Sequence, residues 1–332
     1  MNFDKLNKFH SNVVKLLTNS NKKGRLSHTY LFYGAKGTLK MEGALFLSSL
    51  ILCENKNACG QCQECKKILE GKNQNIYKVT PETTSIKKEQ ITDLISDFSR
   101  VSDKPRVFII DGIDKANQTS ANTLLKFLEE ANDNCYGIML AENINLVLPT
   151  IISRSQLVNF YPISRENISN CLKEQGINEH IAIALGVVSS SLDEAIQLSK
   201  DQTIEKILNL VIKISESISI DEYDPILDYI IEGNFLNTAD QRVLNKYLID
   251  LLITLENDKI NYKINNIDRI VFFDIVSKNK PIDDMSRQLE IIKILMELKE
   301  ELKYNINVVT GIVSALIKVK RCWDGKSRRY WI

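Results

Sequence analysis

The sequence is most informative at first for what it lacks. It has no apolar run of about 18 residues, the length that spans a bilayer. Its opening residues, MNFDKLNKFHSNVV, lack the apolar centre of a secretory signal. The expectation is therefore a cytoplasmic protein without a membrane partner. The formal net charge is only +1, so there is no global electrostatic signature of nucleic-acid binding. Any DNA contact has to come from a local patch or from partner chains. No internal repeat or low-complexity segment stands out. What is present is ordinary for a globular protein: 44% apolar and 26% charged residues, in a 332-residue chain long enough for two or three domains.

The most organised stretch is 106–130, RVFIIDGIDKANQTSANTLLKFLEE. Its unbroken apolar run, Val107 to Ile110, suits a strand buried on both faces of a parallel sheet. Asp111 closes that strand, where open α/β sheets bind ligands. Beyond a polar turn, Ala121, Leu124, Leu125 and Leu128 recur at helical spacing. The stretch reads as a Walker B strand, whose acid would hold the Mg²⁺ of a bound nucleotide, or as a buried strand that simply ends in Asp.

A second block has the order that a P-loop needs. The apolar run 29–33 leads into GAKGTLKM, 34–41, and then into a helix-like stretch reaching Cys53. In G-x-x-x-x-G-K-[ST], backbone N–H groups cradle phosphate, the lysine reaches the terminal phosphates, and the hydroxyl binds Mg²⁺. Gly34 and Lys40 are in place, but Leu39 stands at the second glycine and Met41 at the hydroxyl. Leu39 is expected to crowd the cradle, and Met41 offers no oxygen to a hard cation. Nucleotide binding at Gly34, Lys40 and Asp111 is thus doubtful, and the site reads as vestigial. The plainer reading is an unrelated βα turn containing a lysine.

Cys53, Cys59, Cys62 and Cys65 follow as C-x5-C-x2-C-x2-C. Four thiolates within thirteen residues can close a tetrahedral Zn²⁺ shell, and such a site leaves no open position for catalysis. A structural zinc stapling a small helical insertion is expected. The histidines at 10, 28 and 180 are scattered and are not needed as ligands, while Cys135, Cys171 and Cys322 are isolated.

Further strand signals at 76–79, 137–140 and 150–160 alternate with a helix-like segment at 86–98. Together they argue for one parallel α/β sheet over about 160 residues. Beyond Pro162 the pattern turns helical. Residues 164–199 read as two or three short helices punctuated by Gly176, Gly186 and the serines at 189–191. Leu244, Leu248, Leu251, Leu252 and Leu255 form one stripe, and Val309, Ile312, Val313 and Leu316 another. Gly233 and the polar stretch 256–266 read as connections. In the C-terminal tail Lys318, Lys320, Arg321, Lys326, Arg328 and Arg329 interleave with Trp323, Tyr330 and Trp331. That mixture suits either nucleic acid or a solvated end with docked aromatics.

The blocks LSHTYLFYG (26–34), the four-cysteine insertion, SANTLLKFLEE (120–130) and LPTIISRSQ (148–156) together resemble the delta-prime subunits of bacterial DNA polymerase III clamp loaders, within the AAA+ family. The order and spacing of the blocks match over residues 1–160, and the helical remainder fits in length and character. The resemblance implies an α/β plus all-α protein in three parts. These are a RecA-like parallel-sheet domain with a zinc module (1–162, insertion 53–65), a small helical lid (163–202) and a helical collar for oligomerisation (203–332). It implies a hetero-pentamer with gamma/tau ATPase and delta subunits, within the DNA-directed DNA polymerase holoenzyme, that places the ring-shaped sliding clamp on primed DNA. Delta-prime is the rigid, non-hydrolysing stator of that assembly and lends an arginine to a neighbour's nucleotide site.

Here the family's serine-arginine-cysteine motif is Ser153, Arg154, Ser155, so Arg154 is the expected finger in trans. Gly112 stands where active ATPases carry a water-activating glutamate, Ala131 where a proline follows the double glutamate, and Glu194 where the lid would offer a sensor arginine. Two other readings compete. An active gamma/tau-type ATPase is opposed by Leu39, Met41 and Gly112. A zinc-dependent nucleic-acid-binding protein outside AAA+ assemblies is opposed by the near-neutral charge.

Overall fold

The computed structural model describes residues 3–322 apart from 83, 100, 101, 103, 131–133, 220–223, 279–283 and 305. Ala131 and the tail residues Trp323, Lys326, Arg328, Arg329, Tyr330 and Trp331 lie outside the described residues. The chain divides into two compact units, Met1–Ile163 and Ser164–Ile332.

The first unit is built on five parallel strands in the order β2-β3-β4-β1-β5. They are β1 (Thr29–Tyr33), β2 (Ile76–Val79), β3 (Arg106–Asp111), β4 (Cys135–Ala141) and β5 (Gln156–Asn159). The apolar runs are continuous because both faces of the sheet are covered. Successive residues alternate between two cores, as side chains in a strand must. Phe32, Val107, Ile109, Ile138 and Leu140 join one core, with Phe46, Leu47 and Leu50 from the helix Lys40–Leu52. Leu31, Phe108, Ile110, Met139 and Ala141 join the other. There they meet Ile91 and Leu94 from the helix Lys88–Phe98, and Ala121 and Leu124 from the helix Gln118–Glu130. The sheet is thus wholly parallel and covered by helices on both faces. Because β4 separates β1 from β3, the loop after β1 and the acid ending β3 open at the same end of the sheet, on either side of β4.

The second unit is helical throughout its described residues. Three short helices, Arg165–Glu174, Glu179–Val188 and Leu192–Leu198, precede longer ones that include Thr203–Ser219, Gln241–Lys263, Met285–Glu301 and Val308–Arg321. Gly186 does not punctuate the chain as expected, since it lies inside the helix Glu179–Val188. A Cβ there would collide with Ser169 Oγ and the Arg165 carbonyl, so the glycine lets two helices approach closely.

The polar stretch at 256–266 is likewise not simply a connection. The helix Gln241–Lys263 runs through most of it and buries Glu256, Asp258 and Lys259. Lys259 Nζ bonds Glu256 Oε1 at 3.0 Å, the Ser215 carbonyl at 3.1 Å and Ser219 Oγ at 2.9 Å. Ser215 Oγ and the Gln288 side-chain amide donate to the Glu256 carboxylate. Asp258 accepts from the backbone N–H groups of Val271 (3.1 Å) and Phe272 (2.8 Å). Burial pushes its carboxyl up to about 6, against the pull of those two amides. Polar residues go inside here because each one meets a partner supplied by another helix or turn. No helix among the described residues is long and apolar enough to cross a membrane.

Removing one member of a buried ion pair leaves the other charge uncompensated. Lys259→Met is therefore expected to lower the stability of the helical unit by about 3–5 kcal/mol, read as a shift of its urea midpoint. Glu256→Leu combined with Lys259→Met should recover much of that loss.

Candidate functional site

The turn after β1 is tied down by its own backbone and by Lys40. The Gly34 N–H bonds the Ala141 carbonyl at 3.1 Å, tying the loop to the end of β4. A Cβ on Gly34 would overlap the carbonyl oxygen of Phe160, so the position admits only glycine. Thr38 Oγ1 donates to the Ala35 carbonyl at 2.9 Å. Lys40 is 9% exposed, and its ammonium donates to the carbonyls of Gly34 (2.6 Å) and Ala35 (2.7 Å). Burial lowers the Lys40 pKa, while the carboxylates of Glu142, Asp111 and Asp114 pull it back up.

Leu39 corrects the expectation of crowding in part. Its backbone holds the left-handed conformation, φ 61° and ψ 27°, that the motif's glycine would supply without strain. Its side chain lines the cavity but is only 5% exposed and packs with the core. The substitution therefore acts through backbone strain, of order 1–2 kcal/mol, as well as through bulk.

Lys36, Gly37, Lys40, Met41, Asp111 and Glu142 are among the residues lining a cavity of about 250 Å³. Asp111 is half-buried, and burial raises its pKa against the attraction of Lys115 and Lys40. Asp114 is fixed as a backbone acceptor, taking the N–H groups of Glu142 (3.2 Å) and Asn143 (3.1 Å). The residues do not fit a Mg²⁺–nucleotide. Met41 brings a thioether to the metal position, and Gly112, at φ 83°, brings no acid beyond Asp111.

Arg154 is not among the residues lining that cavity. It caps the short helix Pro149–Ser153 just before β5. Its Nη2 bonds Glu129 Oε1 at 2.6 Å and its Nη1 bonds the Thr150 carbonyl at 3.2 Å. The side chain is 43% exposed and that of Glu129 53%. Glu194 is engaged at the start of its own helix and by the Tyr247 hydroxyl, at 3.3 Å. Its carboxylate accepts from the Ser190 backbone (2.7 Å) and hydroxyl (2.6 Å), and its N–H bonds Ser191 Oγ at 3.1 Å. Ser191 thereby caps the helix start, and Glu194 ties down the residue before the cap.

The four cysteines converge. Cys53 ends the helix Lys40–Leu52, Cys62 caps the helix Gln63–Leu69, and Cys65 lies in that helix's first turn. Left-handed residues Lys56, Ala58 and Gly60 curl the intervening loop back on itself. All four Sγ atoms fall within 4.8 Å of one another, with Cys53–Cys59 at 3.6 Å and Cys62–Cys53 at 3.9 Å. Tetrahedral zinc with bonds of about 2.3 Å requires sulfurs about 3.8 Å apart, so the donor set fits a metal ion. Burial pushes the Cys53 thiol up, but N–H groups of Cys59, Asn57 and Asn55 outweigh it and bring the pKa down to about 6. Burial raises that of Cys65. Cys135, Cys171 and Cys322 stand outside the cluster.

The chain is similar to several known proteins. The family model described as "DNA polymerase III, delta subunit" matches residues 9–164. The DNA polymerase III subunit delta' of Bacillus subtilis (strain 168) is 31% identical over 324 residues, covering 96% of this chain and 98% of that one. The DNA polymerase III subunit gamma of Buchnera aphidicola subsp. Baizongia pistaciae is 27% identical over 315 residues, covering 90% and 79%. Among solved structures, a DNA polymerase III gamma subunit-related protein from Thermotoga maritima aligns with a TM-score of 0.42 and 15% identity, covering 93% and 98%.

Since Lys40 satisfies two loop carbonyls, Lys40→Ala should destabilise the first unit even without any nucleotide. The expected loss is about 1–3 kcal/mol, as for hydrogen bonds made by a charged donor, measured by chemical denaturation.

Proposed function

Because the chain belongs to the family of DNA polymerase III delta-prime subunits, we propose that it is the non-hydrolysing stator of a clamp loader. In this reading it joins gamma/tau ATPase and delta subunits in a cytoplasmic hetero-pentamer that loads the sliding clamp onto primed DNA during replication. On the same reading a lid, 163–202, and a collar, 203–332, follow the sheet domain, 1–162. The observation that carries the reading is the chemistry of the cradle, where the loop is retained but Met41 and Gly112 leave it without a metal oxygen and without a base.

Arg154 supplies what this chain does contribute to hydrolysis. A guanidinium is always charged and can fork two donors onto phosphate oxygens. At a neighbour's γ-phosphate it stabilises the charge that develops in phosphoryl transfer, an effect worth roughly 10³- to 10⁵-fold in GTPases. Arg154 is half-exposed, and its guanidinium is held by Glu129, in an exposed pair worth about 0–1 kcal/mol, and by the Thr150 carbonyl. Cys53, Cys59, Cys62 and Cys65 would hold one zinc, whose chemistry is structural, since four thiolates leave no open coordination position.

Metal analysis should find about one zinc per chain, lost when Cys62 and Cys65 are both replaced by Ser. A fully folded, metal-free protein would overturn the zinc assignment. For the stator reading, the isolated chain should not turn over ATP. A complex reconstituted with Arg154→Ala should assemble, yet lose clamp-dependent hydrolysis and loading. Wild-type rates with the variant incorporated would leave Arg154 a surface residue.

A further inference from the structure

Glu129 sits at an unfavourable place for the helix that carries it. The helix Gln118–Glu130 ends on two acids and has no basic residue in its last turn. There the macrodipole and the unsatisfied carbonyls disfavour negative charge. The carboxylate is therefore not supporting its own helix. It reaches the guanidinium of Arg154, 25 residues further along the chain, at 2.6 Å.

The bond is made in a way that constrains the arginine without consuming it. Glu129 takes one N–H of Nη2, and the Thr150 carbonyl takes one N–H of Nη1. Of the five guanidinium N–H groups, three keep no partner among the described residues. Both acceptors stand on elements of this unit: Glu129 on a helix whose Ala121 and Leu124 are fixed in the core, and Thr150 in the short helix that Arg154 caps. A long side chain that would otherwise sample many rotamers is tethered at both terminal nitrogens, with Nε–H and one N–H on each terminal nitrogen still available.

We propose that Glu129 is a positioning residue for Arg154, orienting the guanidinium so that its remaining N–H groups meet phosphate oxygens of the neighbouring subunit's nucleotide. The proposal rests on the reading of Arg154 as a finger acting in trans. Positioning of this kind acts on the rate of the chemical step, because it restricts the arginine before the transition state is reached. Exposed pairs of this type are worth about 0.2–1 kcal/mol, and the upper part of that range, about 0.4–1 kcal/mol, corresponds to the two- to fivefold effect expected here.

The test uses the full complex reconstituted with four versions of this chain: Glu129→Ala, Glu129→Gln, Arg154→Ala and the double variant Glu129→Ala, Arg154→Ala. Glu129→Ala should lower the clamp-dependent kcat for ATP by about two- to fivefold with KM for ATP unchanged. Glu129→Gln should restore most of it, because the amide oxygen accepts the same hydrogen bond. In the Arg154→Ala background, Glu129→Ala should have no further effect. A wild-type or raised kcat for Glu129→Ala, or an equal loss with and without Arg154, overturns the positioning role while leaving the finger intact if Arg154→Ala alone is slow. If Arg154→Ala runs at the wild-type rate, the finger and the positioning role fall together.

Discussion

Phe160 occupies space that two glycines leave open. It is fully buried, its carbonyl oxygen lies where a Cβ on Gly34 would be, and its ring lies where a Cβ on Gly43 would be. The ring centroid stands 5.1 Å from that of Phe32 and 5.0 Å from that of His10, and its N–H bonds the Tyr33 carbonyl at 2.8 Å. Burial holds the His10 imidazole below its usual pKa, against a bond to the Thr38 backbone. Four pieces of chain are thus fastened at one point: the N-terminal segment, the end of β1, the helix after the cradle and the exit from β5. Arg154 lies just upstream on that same last segment, so the cradle and the arginine belong to one packed body in which neither can shift freely.

Much of this unit was legible in the sequence. The runs at 29–33 and 107–110 announced strands because burial on both faces removes the alternation that would otherwise blur them. The cysteine spacing announced a convergent cluster because x2 steps at a helix start bring thiols to one side. Asp111 and Lys40 were legible because their chemistry depends on their place at strand and helix ends. All of these signals are local.

What was not legible depends on distant partners. Glu256, Asp258 and Lys259 look like solvent-facing residues of a connection until Ser215, Gln288 and the turn at 271–272 are brought to them. Gly186 looks like a break until Ser169 is placed beside it. The double glutamate in SANTLLKFLEE was visible as a motif, but its partner Arg154 lies beyond another strand. Leu39 was read by its bulk, whereas the backbone conformation it adopts is dictated by the loop around it. Propensity gives no warning of a leucine at positive φ, because the loop's closure overrides it.

The left-handed backbone at Gly112 has a consequence for redesign. A glutamate placed there would hold its side chain at φ 83°, with the Cβ about 3.3–3.4 Å from Lys115 and Pro81 and no oxygen at Met41 to share a metal with. That substitution alone brings strain without a metal ligand, and a hydroxyl introduced at 41 alone brings a ligand without a second acid. Building a metal site into this cavity therefore takes both changes together, because neither is useful as a half-way step.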